Sequence, residues 1–195
     1  MLDLSETLAV FPVLETDRLV LRQVTADDTE AIFRMLADPA VTRYLGRQPF
    51  SALDQAASRV QAYADEFKAR TGLAWAVTQR SDGQFMGLCR YTQFFRFHYR
   101  AEIGYLLSRA WWGQGVMPEA VSAALDFGFT RLGLHSVQAD IDPANNQSRR
   151  LLEKLGFVQE AMFRESFYIP HLDRFDDSAV FSLLGSAWAR RPEPD

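Results

Sequence analysis

The chain has 195 residues, of which 48% are hydrophobic and 13% aromatic, and this length and composition predict one domain with a substantial core. A net charge of −4, from 21 basic and 25 acidic residues, argues against a dedicated binder of nucleic acid or of an anionic membrane surface. The single cysteine, Cys89, excludes a disulfide framework and a cysteine metal cluster, and it predicts a reducing, cytoplasmic compartment. We also expect neither a signal peptide nor a membrane span.

The first part of the chain predicts a strand followed by a helix. Apolar and polar residues alternate over 18–24, which is typical of a strand. A helix capped by Thr25 or Asp27 should follow, and Pro39 should end it. The apolar positions of this helix are spaced as on one helix face: Ile32, Met35 and Leu36.

A second helix is predicted over 50–70, with a cap near Ser51 and an end before Gly72. The residues of its predicted buried stripe are Leu53, Ala57, Val60, Ala64 and Phe67. Strands over 73–80 and 85–95 then flank the sequence Ser-Asp-Gly-Gln, which is typical of a hairpin turn.

A third strand of this group is predicted over 100–108, and a helix should begin near Met117 or Pro118. The remaining predicted elements are a strand over 135–142, a short helix over 145–156, and closing antiparallel strands over 157–167 and 175–184. The order β-α-α-β-β-β-α-β-α-β-β predicts a single mixed α/β domain over 1–195. Its packed core should cover about 13–185 and its tails should be short, with 189–195 frayed.

A glycine-containing loop joins the 100–108 strand to the next helix, in the sequence AEIGYLLSRAWWGQGVMPEA. Gly113 and Gly115 permit positive φ angles and close approach of a ligand to the backbone. Free N–H groups and the helix dipole would suit a phosphate there. The spacing matches neither G-x-x-x-x-G-K-[ST] nor G-x-G-x-x-G, which disfavours a nucleoside triphosphatase and a dinucleotide-binding fold. On spacing alone, a plain turn before a buried helix remains open.

Three motifs in order resemble the GNAT superfamily of N-acetyltransferases, and most closely its branch of ribosomal-protein N-terminal acetyltransferases. The loop is similar to that branch's aromatic-x-Gly-Gln/Lys-Gly-apolar-Met-x-Glu-Ala, with Trp112 and Met117 departing from the wider superfamily pattern. DPANNQSRRLLEKLGF, at 142–157, resembles the branch's P-x-N-x-x-S followed by Glu-Lys-x-Gly-Phe. LETDRLVLRQVTADD, at 14–28, resembles its first strand. The resemblance covers about 13–185.

The resemblance implies a GNAT fold, in which a central mixed, mostly antiparallel sheet splays between two central strands and carries helices on both faces. It implies acetyl-CoA (coenzyme A) as the cofactor, with its pyrophosphate on the loop, its pantetheine arm paired to the edge of the 100–108 strand, and its amides bonded to Asn145. The implied cofactor-binding residues are Leu106, Leu107, Ser108, Trp112, Gly113, Gln114, Gly115, Val116, Met117, Asn145 and Ser148.

Two residues are candidates for proton transfer. Glu102 matches the strand carboxylate that serves as general base in some GNAT enzymes, and partial burial should raise its pKa. An ion pair with Arg90 or Arg100, or a water relay as the base, are the alternatives. Ser148 is the candidate acid for the leaving thiolate, because Leu152 occupies the position where many relatives carry a tyrosine. Capping or packing of the short helix is the alternative role of Ser148.

Other reactive residue types favour ordinary structural roles. Cys89 should be a small core residue rather than a nucleophile, and His98, His135 and His171 lack metal-ligand spacing, so no metal is predicted. The aromatic and basic stretch 93–100 should be a hairpin end whose tip lines the substrate mouth, with stacking on nucleic acid as the rival. Acidic and aromatic residues of the closing hairpin would favour a cationic acceptor or form turns: Tyr168, Asp173, Asp176 and Asp177.

The sequence therefore predicts an acetyl-CoA-dependent N-acetyltransferase in which a primary amine attacks the thioester directly. The acceptor is a protein N-terminus, as the resemblance to the ribosomal-protein branch suggests, or a small amine or antibiotic. A non-catalytic acyl-CoA sensor and a nucleic-acid-binding module are the rival functions. Neither a nucleic acid nor a membrane is an expected direct partner, and the chain is expected to be a monomer or a homodimer.

Overall fold

The structure is a computed structural model that describes residues 1–191. One sheet of eight strands forms its centre, in the spatial order β1-β2-β3-β4-β5-β6-β8-β7. All neighbouring strands are antiparallel except β5 and β6, which run parallel. The strands are β1 Leu14–Glu15, β2 Leu19–Gln23, β3 Leu73–Gln79, β4 Phe85–Phe95, β5 Arg100–Leu107, β6 Ser136–Ile141, β7 Val158–Ile169 and β8 Arg174–Leu184.

Helices cover both faces of this sheet, which confirms the predicted mixed α/β fold. The helices are α1 Thr29–Ala37, α2 Pro39–Thr42, α3 Leu53–Ala69, α4 Val116–Thr130, α5 Asn146–Lys154 and α6 Gly185–Trp188. Alternation along β3 shows the two layers, because Trp75 packs in the core beneath α4 and α5 while Ala76 packs beneath α1 and α3. Within residues 1–191, no helix combines the length and apolar content needed to cross a bilayer.

The parallel strands β5 and β6 separate soon after they meet. Their paired residues are Arg100 with Ser136, Ala101 with Val137, and Glu102 with Gln138. β5 stays paired to β4 as far as Leu107, and β6 stays paired to β8 as far as Ile141. The sheet therefore opens between the second half of β5 and the second half of β6. This opening, which we call the slot, is the splay that the family resemblance implies.

Two predictions about the second helix are wrong in detail. Leu53 and Ala57 of the predicted stripe are exposed, and the buried residues of α3 are Ala56, Val60 and Tyr63. The buried face is the one that packs against α1 and the sheet. The helix begins at Leu53, two residues after the expected cap Ser51, with Ala52 as N-cap, and the side chain of Gln55 accepts hydrogen bonds from the N–H groups of residues 51 and 52.

The helix after the first strand agrees with its pattern, since Ile32, Met35 and Leu36 are all buried. Thr25 precedes a short 3-10 turn, and α1 follows directly. Pro39 ends α1 as predicted and also begins the short helix α2. At the end of α3, Arg70 rather than Gly72 takes the left-handed conformation, with φ of 53°.

The packed core is longer than the predicted 13–185. Three leucines of the first segment are buried against the sheet: Leu2, Leu4 and Leu8. The indole N–H of Trp75 donates to the carbonyl of Pro12 at 2.8 Å, which anchors the end of that segment. Beyond 185, Trp188 is buried and Arg191 pairs with Asp126 at 3.0 Å, so the predicted fraying is wrong for 189–191. The rest of that tail, 192–195, lies outside the described residues.

The hairpin end at 93–100 does not line the slot. A 3-10 turn over Arg96–His98 joins β4 to β5 at the end where β5 and β6 remain paired. There the Leu2 N–H donates to the Arg96 carbonyl at 2.9 Å. The hairpin itself is confirmed, but the expectation that its tip lines the substrate mouth is wrong, because the sheet opens at the other end of β5.

Candidate active site

The glycine loop over residues 112–115 lies between β5 and α4. Gly113 and Gly115 have φ angles of 74° and 76°, which confirms that both need the left-handed conformation that suits glycine. α4 begins at Val116, one residue earlier than predicted, and Gly115 is its N-cap. The N–H groups of the first helical turn have no intrahelical acceptor, so they point out of the helix end together with its dipole.

Side chains around the loop hold its shape. The indole N–H of Trp112 donates to the Leu107 carbonyl at 2.9 Å, and the amide of Gln114 donates to the Ala110 carbonyl at 2.8 Å. Arg18, which directly precedes β2, donates from its guanidinium to the Gln114 carbonyl at 3.1 Å and to Glu119 of α4 at 2.7 Å. The side chains of Trp112 and Gln114 therefore stabilise the conformation of the loop.

Glu119 locks the start of α4 onto the first strands. Although its partial burial alone would raise the pKa of this carboxyl, hydrogen bonds from Thr16 and Arg18 outweigh that effect and hold the pKa below its ordinary value. The carboxylate also lies in the first turn of α4, where the helix dipole favours negative charge. Sequence analysis gave Arg18 and Glu119 no individual roles, yet together they fix the loop against β2.

The edge of β5 that faces the slot is set by strand parity. Ser108 donates its N–H to the Met86 carbonyl at 2.8 Å, so this N–H and the backbone groups of Leu106, two residues earlier, point toward β4. Backbone groups at the alternate positions point toward the slot: Ile103, Tyr105 and Leu107. Of the three residues implied to contact a pantetheine arm, Leu107 directs its backbone toward the slot, whereas Leu106 and the Ser108 N–H face β4 and the Ser108 carbonyl accepts from the Trp111 N–H at 3.0 Å.

Glu102 lies half-buried on β5, on the sheet face covered by α1 and α3. Its two carboxylate oxygens accept hydrogen bonds from the Thr92 hydroxyl at 2.7 Å and from the Gln138 amide at 3.2 Å. The expected alternative, an ion pair with Arg90 or Arg100, is wrong, because the Arg90 guanidinium pairs with another carboxylate and Arg100 stacks on an aromatic ring. Glu102 is thus held in place by neutral groups where the slot begins.

Asp140 is a candidate site residue that sequence analysis missed. It lies on β6 two residues beyond Gln138, so its side chain is on the same face as Gln138. Although much of its surface is accessible, the surrounding protein partly desolvates the carboxyl and raises the pKa of Asp140, and the nearby Glu102 carboxylate adds to this effect. Two interacting carboxylates therefore flank the slot on the α1 and α3 side.

Ser148 meets a partner that the sequence did not suggest. Its side chain is 8% exposed, and its hydroxyl shares a 2.7 Å hydrogen bond with the phenol of Tyr105. Burial raises the pKa of Tyr105 well above its ordinary value, with the Ser148 bond opposing it in part, so the phenol keeps its proton near neutral pH. Side chains alternate between the two faces of a strand, so Tyr105 lies on the face of β5 opposite to Glu102. This alternation is the sequence signal that could have identified Tyr105.

The start of α5 shows that the capping role considered for Ser148 is wrong, because Asn145 caps this helix instead. Asn145 is the N-cap of α5, and its side-chain oxygen accepts from the Ser148 N–H at 3.1 Å. The hydroxyl of Ser148 does not cap the helix, because it bonds to Tyr105. Leu152, at the position of the missing tyrosine, is fully buried and packs in the core beneath α4 and α5.

The remaining reactive residues lie apart from this site or are engaged locally. Burial raises the pKa of the Cys89 thiol to about 12, so it is a core residue as predicted. Across the described part of the chain, no three His, Cys, Asp or Glu side chains converge as a metal site requires. The polar residues of the closing hairpin bond to near neighbours, as in Tyr168 with Asp173, Arg174 with Asp176, and Glu165 N–H with Asp177.

Comparison with known proteins identifies a family match and several relatives. Residues 18–158 match the acetyltransferase (GNAT) domain family. The protein named "Uncharacterized N-acetyltransferase YoaA" from Bacillus subtilis is 37% identical over 159 residues, which cover 82% of this chain and 90% of that protein.

Two solved structures share the fold. The GNAT-family acetyltransferase of Bacillus anthracis superposes with a TM-score of 0.79 at 24% identity, over 90% of this chain and 99% of that one. The spermidine N-acetyltransferase of Vibrio cholerae, solved in complex with CoA and spermine, superposes with a TM-score of 0.78 at 22% identity. That superposition covers 90% of this chain and 100% of that chain.

Proposed function

The chain belongs to the GNAT acetyltransferase family, and from this premise we propose that it is an N-acetyltransferase in which a primary amine attacks the thioester of acetyl-CoA directly. One observation carries the proposal. The glycine loop at the start of α4 and the open edge of β5 meet at the slot, and carboxylates line the other side of that slot. A donor held from one face and an amine that enters from the other face would meet there.

The loop fits a diphosphate. Its residues 113–115 are exposed, and a Cβ built on Gly113 would meet nothing within 4 Å, so the backbone there is open to a ligand. The N–H groups proposed to bind the diphosphate belong to Gln114, Gly115, Val116 and Met117. Pro118 follows these residues and has no N–H to offer, so the series ends there.

The strand edge fits an extended amide chain. The slot-facing backbone groups of Tyr105 and the Leu107 N–H leave room for strand-like hydrogen bonds, since β6 has already diverged and only the Leu107 carbonyl is engaged, by Trp112. We assign this role to them in place of Leu106 and Ser108. Asn145 keeps its amide nitrogen for a further hydrogen bond, because only its oxygen is engaged in capping.

When bound, acetyl-CoA supplies an activated acyl thioester. The chain's own residues remove the proton from the amine and supply the proton to the leaving sulfur. Glu102 accepts the proton that the amine loses as its nitrogen bonds to the acyl carbon. Thr92 and Gln138 hold that carboxylate in place through neutral hydrogen bonds, and Asp140 beside it can take the proton onward to solvent. A water between the amine and Glu102 is the alternative route for the same proton.

The leaving sulfur takes its proton as the carbon–sulfur bond breaks. Ser148 and Tyr105 lie on the face opposite to Glu102 and share one hydrogen bond. The Ser148 hydroxyl would give its proton to sulfur and regain one from solvent, while the phenol keeps its proton and stabilises the Ser148 oxygen by a hydrogen bond. Direct attack needs no enzyme nucleophile, and this agrees with the deep burial and raised thiol pKa of Cys89, the chain's single cysteine.

A protein N-terminus and a small amine are the two acceptor classes that this proposal includes. The motif resemblance to the ribosomal-protein branch supports the first, and the spermidine N-acetyltransferase of Vibrio cholerae supports the second by analogy of fold alone. A cytoplasmic location is part of the proposal, because the one thiol in the chain is buried and forms no disulfide.

Isothermal titration with acetyl-CoA, combined with a thiol-release screen of amines and N-terminal peptides, tests this function. We expect saturable binding and release of the CoA thiol with at least one amine. No binding at millimolar acetyl-CoA would overturn the proposal. Binding without turnover on any acceptor class would instead favour the acyl-CoA sensor.

A further inference from the structure

A cavity of about 300 Å³ lies beside the open end of the slot. The segment between α2 and α3 forms one wall, the end of the β7–β8 hairpin forms another, and Asp142, which directly follows β6, forms the base. Its charged and titratable lining residues are Arg43, Arg47, Asp142, His171, Arg174 and Asp176. A cavity of this size suits a small molecule.

Close packing joins the two walls of the cavity. Gly46 has a φ of 62°, and a Cβ built on it would overlap the Phe167 ring of β7. The segment can therefore lie this close to the hairpin only with glycine at that position. This contact places Arg47, the next residue, at a fixed position in the cavity wall.

Arginines outnumber carboxylates in the cavity lining, with three against two. The Asp176 carboxylate is paired with Arg174 at 2.8 Å, and a carboxylate oxygen of Asp142 accepts the Ala144 N–H at 2.8 Å. By contrast, Arg43 and Arg47 of the lining, and Arg59 of α3, which acts on Arg47 from outside the lining, form no ion pair with any residue of the described chain. We call these three residues the arginine cluster.

Arg47 is the member of the cluster that most needs a counter-charge. Its guanidinium is half-buried over the Phe50 ring, at 4.7 Å from the ring centroid. Burial lowers the pKa of Arg47, and the positive charges of Arg59 and Arg90 lower it further. Arg90 is neutralised by a 2.8 Å pair with Glu66, so the excess positive charge resides on the cluster itself.

The slot and the cavity beside it differ in charge. At the slot, Glu102 and Asp140 are two interacting carboxylates, which suit the ammonium of an incoming amine. Beyond Asp142, the arginine cluster suits an anionic group, because guanidinium donors match the oxygens of a carboxylate or phosphate. A fully cationic polyamine would meet repulsion at the second region.

From this arrangement we propose that the acceptor is a small amine that also carries a carboxylate or phosphate group, and that Arg47 and Arg43 bind this anionic group. The proposal rests on the acetyltransferase function and specifies its substrate class. It differs from the expectation that the closing hairpin's acidic residues select a cationic amine, because those residues are bonded locally.

A thiol-release screen with matched acceptors tests the proposal. The panel contains α-amino acids and their amides, glucosamine 6-phosphate and glucosamine, an N-terminal peptide amide, and spermidine. We expect turnover to be at least about tenfold faster with the anionic member of a pair, which corresponds to about 1.4 kcal/mol. The amino-acid and sugar-phosphate arms distinguish carboxylate from phosphate recognition. Equal or faster turnover of the uncharged or cationic acceptors would overturn the proposal.

Two arginine variants test whether the preference for an anionic acceptor arises in this cavity. Arg47→Gln should raise KM for the anionic acceptor at least about tenfold and leave the Kd for acetyl-CoA unchanged. Arg34→Gln is the matched control, because Arg34 is an exposed arginine on α1 whose guanidinium pairs only with the exposed Glu30. The same rise in KM in both variants would show that overall charge rather than this cavity is responsible, and would overturn the proposal.

A second measurement is independent of acetyl-CoA. The Nε–H NMR signal of Arg47, assigned by its loss in Arg47→Gln, is followed while inorganic phosphate or acetate is added to the free protein. We expect a saturable shift with at least one of these anions, and no shift of the Arg34 signal. An Arg47 signal that stays constant with both anions would overturn the proposal even if acetyl-CoA binds. Absence of acetyl-CoA binding would overturn only the enzymatic function.

Discussion

Gly113→Ala tests whether the glycine loop binds the diphosphate of acetyl-CoA. Gly113 has a φ of 74°, and an alanine in this left-handed conformation costs about 1–2 kcal/mol. The loop is exposed and an added Cβ would meet no neighbour within 4 Å, so the free variant can relax to a negative φ. Binding then has to restore the left-handed conformation that aligns the N–H groups. The Kd for acetyl-CoA should therefore rise about 5–30-fold.

Gly83→Ala is the matched control for this substitution. Gly83 also has a φ of 74° and also has nothing within 4 Å of an added Cβ, but it lies in the turn between β3 and β4. It should lower Tm by about 2–8 °C and leave the Kd unchanged. Isothermal titration and thermal unfolding measure both quantities. A Kd that is unchanged in Gly113→Ala, or that rises equally in both variants, would refute the assignment of the diphosphate to this loop.

The remaining predictions concern proton transfer and the anchor of α4. Glu102→Gln should lower kcat by about 10²–10⁴-fold near neutral pH with an unchanged Kd for acetyl-CoA; a wild-type pH–rate profile would exclude Glu102 as the base. Ser148→Ala and Tyr105→Phe should each lower kcat, and the double variant should be no slower than the worse single variant; fully additive losses would show that the two hydroxyls act separately. Glu119→Gln should lower Tm at pH 7, because a folded-state pKa below the ordinary value of 4.5 stabilises the fold above that pH. The Tm deficit of this variant should shrink as the pH falls below about 4, and a deficit that stays constant with pH would mean that the Arg18 pair contributes no charge-dependent stability.

Local patterns predicted most of the fold because they report on single elements. The alternation in 18–24, the turn at 81–84 and the glycines of the loop each depend on nearby residues alone, and each gives the element that was expected. The predicted buried stripe of α3 was wrong in part. Packing against α1 and the sheet buries Ala56 and Tyr63 and leaves Leu53 exposed, and a helical spacing of apolar residues does not specify which neighbouring element a helix meets.

Contacts between distant segments were beyond the reach of these patterns. Tyr105 and Ser148 are 43 residues apart, and only the folded sheet brings their hydroxyls together. The local partners of the acidic residues near 173–177 could not be predicted either, because Tyr168 and Arg174 reach them only through the geometry of the closing hairpin. Burial of Leu2 and Leu4 was missed because a short irregular segment carries no periodic pattern.

The slot between β5 and β6 has a consequence for the stability of the whole molecule. A ligand that fills the open edge of a sheet binds the folded chain and not the unfolded one, so it adds about 2.7 kcal/mol to the unfolding free energy at 100 times its Kd. The same edge, when empty, exposes unpaired backbone groups of the kind that template pairing with other chains. Scarcity of acetyl-CoA would thus leave the enzyme both easier to unfold and more prone to aggregate, and its lifetime would follow the supply of its own substrate.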